Sequence, residues 1–247
     1  MAKVADYTEF EPVAIAPDER LFVLTGAGIS AESGIRTFRD ANGLWEQFRV
    51  EDVASPEGWQ KDAALVWRFY SDRRAQAKTC APNPAHAALA DLERTMGDRL
   101  YLCTQNVDPL HERAGSTRAV HMHGELFKSR CEDDGCDVGP FEDAGEYRGE
   151  DAIPRCACGA RIRPHIVWFG EVPFELDAIG AALMASAVFM TVGSSGAVYP
   201  AAGFVRAARA AGARTIYVGP ERPDNAGAFD ECRLGKAGEV LPTLFAR

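Results

Sequence analysis

The chain has 247 residues, with 27 basic against 36 acidic side chains and a formal net charge of −9. That length suits one good core, or one domain carrying sizeable insertions. The acidic balance excludes nucleic acid as a direct partner, because such a surface repels a polyphosphate backbone. A basic peptide or protein fits it better, although an acidic surface also simply keeps soluble proteins apart.

The first twenty residues lack the basic start and apolar core of an export signal. Residues 178–205 carry no charge, but Gly, Ser and Pro200 divide them into helix, strand and loop, so no spanning helix is expected. Seven cysteines without an export signal argue for metal ligation or buried thiols rather than disulfides. The expectation is a soluble cytoplasmic monomer.

In chain order, Arg20–Thr25 is an apolar run ending in glycines, as a buried parallel strand would be. Comparable runs are Arg99–Thr104, Ala119–His123, Ile166–Gly170, Val188–Gly193 and Thr215–Gly219. Helical patterns fall at Pro84–Met96, Leu176–Ala187 and Ala201–Ala211. Strands alternating with helices predict an α/β fold around a mostly parallel sheet.

Two stretches break the rhythm. Residues 41–82 show no strand but hold a helix over Ala63–Lys78, and residues 125–164 are polar and carry four cysteines. Both read as insertions forming a smaller lobe, which leaves 1–40, 83–124 and 165–247 for the large domain.

The chemistry concentrates in Tyr101–Gly124, YLCTQNVDPLHERAGSTRAVHMHG, which holds three of the five histidines. Asp108 suits an N-cap with Pro109 at the first helical position, and Gly115 closes that helix. The clusters Gln105-Asn106-Asp108 and His121-x-His123 then fall at strand ends, where α/β proteins place ligands. On a strand, His121 and His123 share one face. They read as half of a metal site with Asp108 or His111, as a packing residue beside a general base, or as packing alone.

Gly26-Ala27-Gly28-Ile29-Ser30-Ala31-Glu32 follows the first strand and loosely matches a dinucleotide fingerprint, whose glycines let backbone N–H groups approach a pyrophosphate. Tight turns use glycine regardless, so the match alone is weak. The pattern recurs at Gly193-Ser194-Ser195-Gly196, and Glu221 follows Gly219 and Pro220 as a carboxylate able to accept ribose hydroxyls. Three such strand ends suggest a dinucleotide crevice. Cys131-x4-Cys136 and Cys156-x-Cys158 suit one closed tetrahedral zinc site that folds the polar insertion. Cys103, alone in a strand, reads as core packing.

Together GAGISAESGIRTFR (26–39), TQNVDPLHERAG (104–115), HMHGE (121–125), PHIVWFGE (164–171) and GSSGAVYPAAGF (193–204) resemble the sirtuins, NAD-dependent protein-lysine deacylases. The resemblance implies a Rossmann-like large domain, and a small lobe with a helical module and a zinc module. It implies NAD as co-substrate, acylated-lysine proteins or peptides as partners, and nicotinamide and 2′-O-acyl-ADP-ribose as products.

By that resemblance His123 is the general base, with Asn106 and Asp108 beside it in the catalytic set. Gln105, Asn106, Val107 and Asp108 orient the ribose and nicotinamide. The cofactor set also takes in Gly26, Ala27, Gly28, Ser30, Glu32, Thr37, Phe38, Arg39 and Trp45. On the later loops it adds Gly193, Ser194, Ser195, Gly219, Pro220, Glu221 and Ala237. Val167, Phe169, Gly170 and Glu171 are implied to meet the substrate.

Tyr70 and Arg73, three apart on a helix face, match the Tyr-x-x-Arg of sirtuins that accept succinyl and malonyl groups. An Arg fork binds a carboxylate in two places and the phenol adds a donor. Ala41 leaves room for a longer chain, and Thr37 stands where many deacetylases of the family have Asp. A mono-ADP-ribosyltransferase, an NAD-sensing module and a metallohydrolase are the rival readings.

Overall fold

The computed structural model describes residues 11–36 and 48–245, and the backbone of residues 5–7 and 44–45. In chain order the first elements are β1 (Ala5–Tyr7), β2 (Leu21–Thr25), α1 (Ala27–Ala31), β3 (Leu44–Trp45) and β4 (Phe48–Arg49). Helices α2 (Val50–Val53), α3 (Pro56–Lys61), α4 (Ala63–Thr79) and α5 (Pro84–Met96) follow. Then come β5 (Leu100–Thr104), α6 (Leu110–Arg113), β6 (Val120–His121), β7 (Gly124–Cys131), β8 (Phe141–Glu142) and β9 (Ile162–Ile166). The chain finishes with α7 (Leu176–Met184), β10 (Val188–Val192), α8 (Phe204–Ala210), β11 (Arg214–Gly219), β12 (Glu231–Leu234) and α9 (Ala237–Leu244).

Seven strands form one sheet in the order β1-β12-β11-β10-β2-β5-β6, and every pairing is parallel. Both faces of β2 are buried because both are apolar. Leu21 and Val23 enter one cluster with α5 and α9, while Phe22 and Leu24 enter another with α7 and α8. Such two-sided burial yields the continuous apolar runs seen in the sequence. Helix α5 has sharp limits: Asn83 and His86 form a reciprocal cap, Pro84 occupies the first turn, and Gly97 takes a positive φ of 56° after Met96.

A second, three-stranded antiparallel sheet, β8-β7-β9, packs with α2, α3 and α4 around its own apolar cluster, including Trp59, Trp67, Phe69 and Trp168. One side chain locks that lobe. Arg74 on α4 is fully buried and donates to the carbonyls of Leu126, Lys128 and Gly145, to Ser129 Oγ and to Asp143. A guanidinium has five N–H donors, and here they reach five acceptors.

Several expectations about elements are corrected. Ile166–Gly170 is not a strand of the parallel sheet: β9 ends at Ile166 and pairs antiparallel with β7. Residue 167 bonds instead to His123 and residue 169 to Ala54, so the segment bridges the two lobes. The extended run at 119–123 shrinks to Val120–His121, leaving His123 in the turn before Gly124, whose φ is 86°. Helix α6 starts at Leu110 rather than Pro109, although Asp108 still accepts the Leu110 N–H at 3.2 Å. The first insertion does contain a two-stranded hairpin, β3-β4. Among the described residues no helix is long and apolar enough to cross a membrane.

Candidate active site

The carboxyl ends of β2, β5, β10 and β11 open into a cleft of about 710 Å³ between the two lobes. Strand order departs in both directions from the β2–β10 pair, so the cleft sits at the sheet's topological switch point. Its sheet-side wall includes Gly26, Ala27, Gly28, Glu32, Gly193, Ser194, Ser195, Gly219, Pro220 and Ala237.

The two glycine loops are pressed together. Gly28 N–H donates to Gly193 O at 2.8 Å, and a Cβ on Gly28 would fall 2.7 Å from the Gly193 Cα and O. Gly26 N–H likewise donates to Val192 O. The glycines are therefore needed for loop-on-loop contact, and neither of these two N–H groups is left over for a phosphate. Glu32 accepts the Gly238 N–H at the start of α9. Ser30 is buried behind the wall, bonded to Asn106, while Glu221 lies exposed beside it. Thr37, Phe38, Arg39 and Ala41 lie outside the described residues, as does the side chain of Trp45.

The floor is the loop after β5. Gln105 Nε2 donates to Ser194 Oγ at 3.0 Å, tying this loop to the second glycine loop. Asn106 Nδ2 donates to Gly26 O and Ser30 Oγ, which turns its carbonyl Oδ1 outward as the remaining acceptor. Burial pushes the Asp108 carboxyl up, against the opposing pull of the Leu110 N–H. Val107 completes the lining here.

The two histidines that sequence spacing left equivalent are physically opposite. His121 has a ring nitrogen 2.9 Å from Asn106 O and the other 2.9 Å from Glu112 Oε1. Both partners are acceptors, so the ring is held as a cation; burial opposes this, but the Glu112 carboxylate and the Asn106 carbonyl outweigh it and the pKa rises. With both nitrogens spent, His121 has no lone pair for a metal or a proton. His123 lines the cleft and bonds Gln105 O at 3.1 Å through Nδ1. That carbonyl requires the proton on Nδ1, so Nε2 keeps its lone pair. Burial lowers its pKa, the Gln105 bond opposing, and the ring is neutral near pH 7. His111 is buried elsewhere, bonded to Thr25.

The lobe-side wall carries Tyr70, Arg73, Val167, Phe169, Gly170 and Glu171. Tyr70 is 1% exposed and its phenol is pushed up to about 12, mainly by burial. Glu171 accepts from both Arg163 Nη atoms at 2.6 and 3.0 Å and from the Trp168 N–H at 2.7 Å.

Away from the cleft, the sulfurs of Cys131, Cys136, Cys156 and Cys158 all lie within 4.8 Å of one another, with closest pairs at 3.5 and 3.6 Å. Zinc–sulfur bonds of ~2.3 Å in a tetrahedron need sulfurs ~3.8 Å apart. All four thiols are free, so the cluster fits one structural zinc ion despite its irregular spacing.

The sequence model of the Sir2 family matches residues 26–200. This chain is a member of the Sir2 family. It is 51% identical over 230 residues to a Pasteurella multocida (strain Pm70) protein named NAD-dependent protein deacylase, covering 92% of this chain and 97% of the relative. Among solved structures it is similar to a mutant Sir2 homologue in complex with ADP-ribose, at 38% identity and a TM-score of 0.83, covering 93% and 92% of the two chains. A Sir2 homologue–NAD complex is similar at 36% identity and a TM-score of 0.82, covering 96% and 95%.

The Sir2-family cleft also has lining residues that sequence reasoning passed over, among them Ala54, Ile166, Trp168, Tyr199 and Lys236. Trp168 stood inside the PHIVWFGE motif, but nothing in that motif signals its partner 98 positions away.

Proposed function

We propose that the protein is an NAD-dependent protein-lysine deacylase that removes succinyl, malonyl and acetyl groups from lysine side chains. The observation that carries this reading is His123: a neutral ring at the junction of the two walls, with Nδ1 fixed by Gln105 O and Nε2 left basic. A general base of this kind contributes on the order of 10²–10⁴ in rate.

NAD, as co-substrate, supplies the ribose that would receive the acyl group: with one water consumed, the C1′–nicotinamide bond and the lysine N–acyl bond are broken, and the products are nicotinamide, free lysine and 2′-O-acyl-ADP-ribose. The chain's own part is to position and to move one proton. His123 Nε2 takes the proton of a ribose hydroxyl. The outward Oδ1 of Asn106 and the buried carboxyl of Asp108 orient the ribose and the nicotinamide amide. Gln105, bonded to Ser194, keeps floor and sheet-side wall in register. Arg73 and Tyr70 receive a terminal acyl carboxylate: Arg73 is 7% exposed and both line the cleft. A charge-assisted bond in so dry a place is stronger than a neutral one. Val167, Phe169, Gly170 and Glu171 border the entry for a basic acyl-lysine peptide, and a monomer is the proposed working form. The domain division is part of the same proposal: residues 41–82 and 125–164 make the small lobe, supported by their separate apolar cluster.

Incubation with NAD and acetyl- or succinyl-lysine peptides, followed by mass analysis, tests the reading. Equimolar nicotinamide, free lysine and acyl-ADP-ribose are expected. ADP-ribose on protein with no deacylated peptide would replace this reading with an ADP-ribosyltransferase.

A further inference from the structure

A phenol carries one O–H donor and two acceptor lone pairs, whereas an indole N–H only donates. Trp168 Nε1 lies 3.0 Å from Tyr70 Oη, so this bond necessarily uses a lone pair of the phenol. Among the described residues Trp168 is the one hydrogen-bond partner of that hydroxyl. The phenolic hydrogen is therefore left to point elsewhere, and Tyr70 lines the cleft. Burial pushes its pKa up to about 12, so the hydrogen stays on the oxygen at any working pH.

The indole is itself held firmly. Arg163 stacks on the ring face with its guanidinium carbon 3.4 Å from the centroid, and the same guanidinium grips Glu171 with two hydrogen bonds. Glu171 in turn accepts the Trp168 backbone N–H. Trp59 packs against the indole at 5.8 Å between ring centroids, and Trp168 as a whole is 2% exposed. A cation on the indole face also draws electron density from the ring and strengthens the N–H as a donor.

We propose that Trp168 is a specificity-determining positioning residue: its indole N–H occupies the acceptor side of the Tyr70 hydroxyl, so that this hydroxyl presents a hydrogen to an acyl group ending in a carboxylate. The inference rests on the acidic-acyl reading of Tyr70 and Arg73 and gives that pocket a polarity. A hydroxyl with a free choice of rotamer serves a donor or an acceptor equally. One that already accepts a bond on one of its two lone pairs, with its rotamer set by that bond, favours an acceptor such as a carboxylate over a plain methyl terminus. Arg163 and Glu171 support the arrangement by holding the indole from its face and its backbone.

The test is steady-state kinetics at saturating NAD with succinyl- and acetyl-lysine forms of one peptide, for native protein, Tyr70→Phe, Trp168→Phe and the double variant. Trp168→Phe keeps a ring but deletes the N–H. It should raise the succinyl-peptide KM about fivefold more than the acetyl-peptide KM, with succinyl kcat moved less than KM. In the Tyr70→Phe background it should add no further succinyl penalty. Equal KM increases for both peptides, or an undiminished succinyl penalty without the Tyr70 hydroxyl, would overturn the inference and leave Trp168 as packing. Native protein that ignores succinyl-peptide, or whose succinyl KM is indifferent to Tyr70→Phe and Arg73→Met, would overturn the pocket reading and this inference with it. Should Trp168→Phe fail to fold, the ¹⁵N-labelled native protein decides. The Trp168 indole N–H resonance should move when succinyl-peptide and NAD bind and stay nearly still with acetyl-peptide; equal movement would contradict the proposal.

Discussion

The two walls of the cleft are built on different principles. The sheet-side wall is backbone: glycine loops at the ends of parallel strands, bonded main chain to main chain at Gly26–Val192, Gly28–Gly193 and Gly193–Val218. The lobe-side wall is side chain: Tyr70 on α4 meets Trp168 beyond β9, and Arg74 stitches α4 to β7 through buried bonds. A backbone wall leaves a short contiguous signature in sequence and resists change. A side-chain wall depends on residues far apart in the chain, and each of them is a single point of failure.

The largest effect that sharpens this contrast is metal removal. Structural zinc contributes on the order of 10 kcal/mol in small cysteine sites. Chelation should unfold residues 125–164, read as rapid proteolysis there, while amide exchange in β2, β5, β10 and β11 stays slow. Simultaneous loss of both would show that the walls are not independent.

Arg74→Met comes next. It removes the counter-charge of the Asp143 carboxylate, which keeps only the neutral donors Ser129, Gly145 and Tyr147, and strands three carbonyls, so a loss of about 3–5 kcal/mol in denaturant unfolding is expected. A loss below about 1 kcal/mol would mean that water replaces the guanidinium without penalty.

The sheet side has its own weak point, in acid. His86 and His111 are both fully buried, with burial pushing them down to about 4 and about 3. A depressed histidine stabilises the fold above its unfolded value of ~6.5, and that contribution is lost as pH falls toward the folded value. Stability should therefore decline from about pH 6.5, by roughly 4 kcal/mol for the pair at pH 5. Half-buried His165, pushed down to about 4 mainly by burial, acts in the same direction. His121 runs the opposite way, because its raised value favours the fold below ~6.5 and that support fades as pH climbs through it. Urea titrations at several pH values check the net sign, which His86, His111 and His165 set against His121; equal stability at pH 5 and pH 7 would contradict it.

Smallest is Gly28→Ala. Its Cβ meets the Gly193 backbone, which cannot rotate away, so about 1–3 kcal/mol of stability and part of the NAD affinity should go. Calorimetry of NAD binding alongside thermal unfolding would detect it. An unchanged variant would show that the two loops part easily.

Legibility in sequence followed the same divide. The runs that became β2, β5, β10 and β11 were readable because both their faces are apolar, and α5 because its cap, proline and glycine mark both ends. The four cysteines were readable as one metal site because thiolate is rare in a polar insertion. Ile166–Gly170 was misread because an apolar run has no mark for sheet membership: its N–H groups bond singly to two different lobes. Glu231–Leu234 and α9 escaped notice, the first because a buried glutamate and arginine hide the strand pattern, the second because Pro242 lies inside the helix. His121 and His123 were inseparable by spacing. What divides them is Glu112 beside one ring and the turn at Gly124 that carries the other into the cleft. The Tyr70–Trp168 bond spans 98 residues and left no local trace.

The most direct test of the central claim is His123→Ala, assayed for deacylated peptide with NAD binding measured on the same sample. The account predicts turnover reduced by about 10²-fold or more, with the protein folded and NAD still bound. Turnover within about fivefold of the native protein would contradict it, because no other neutral imidazole lines the described cleft to take the proton.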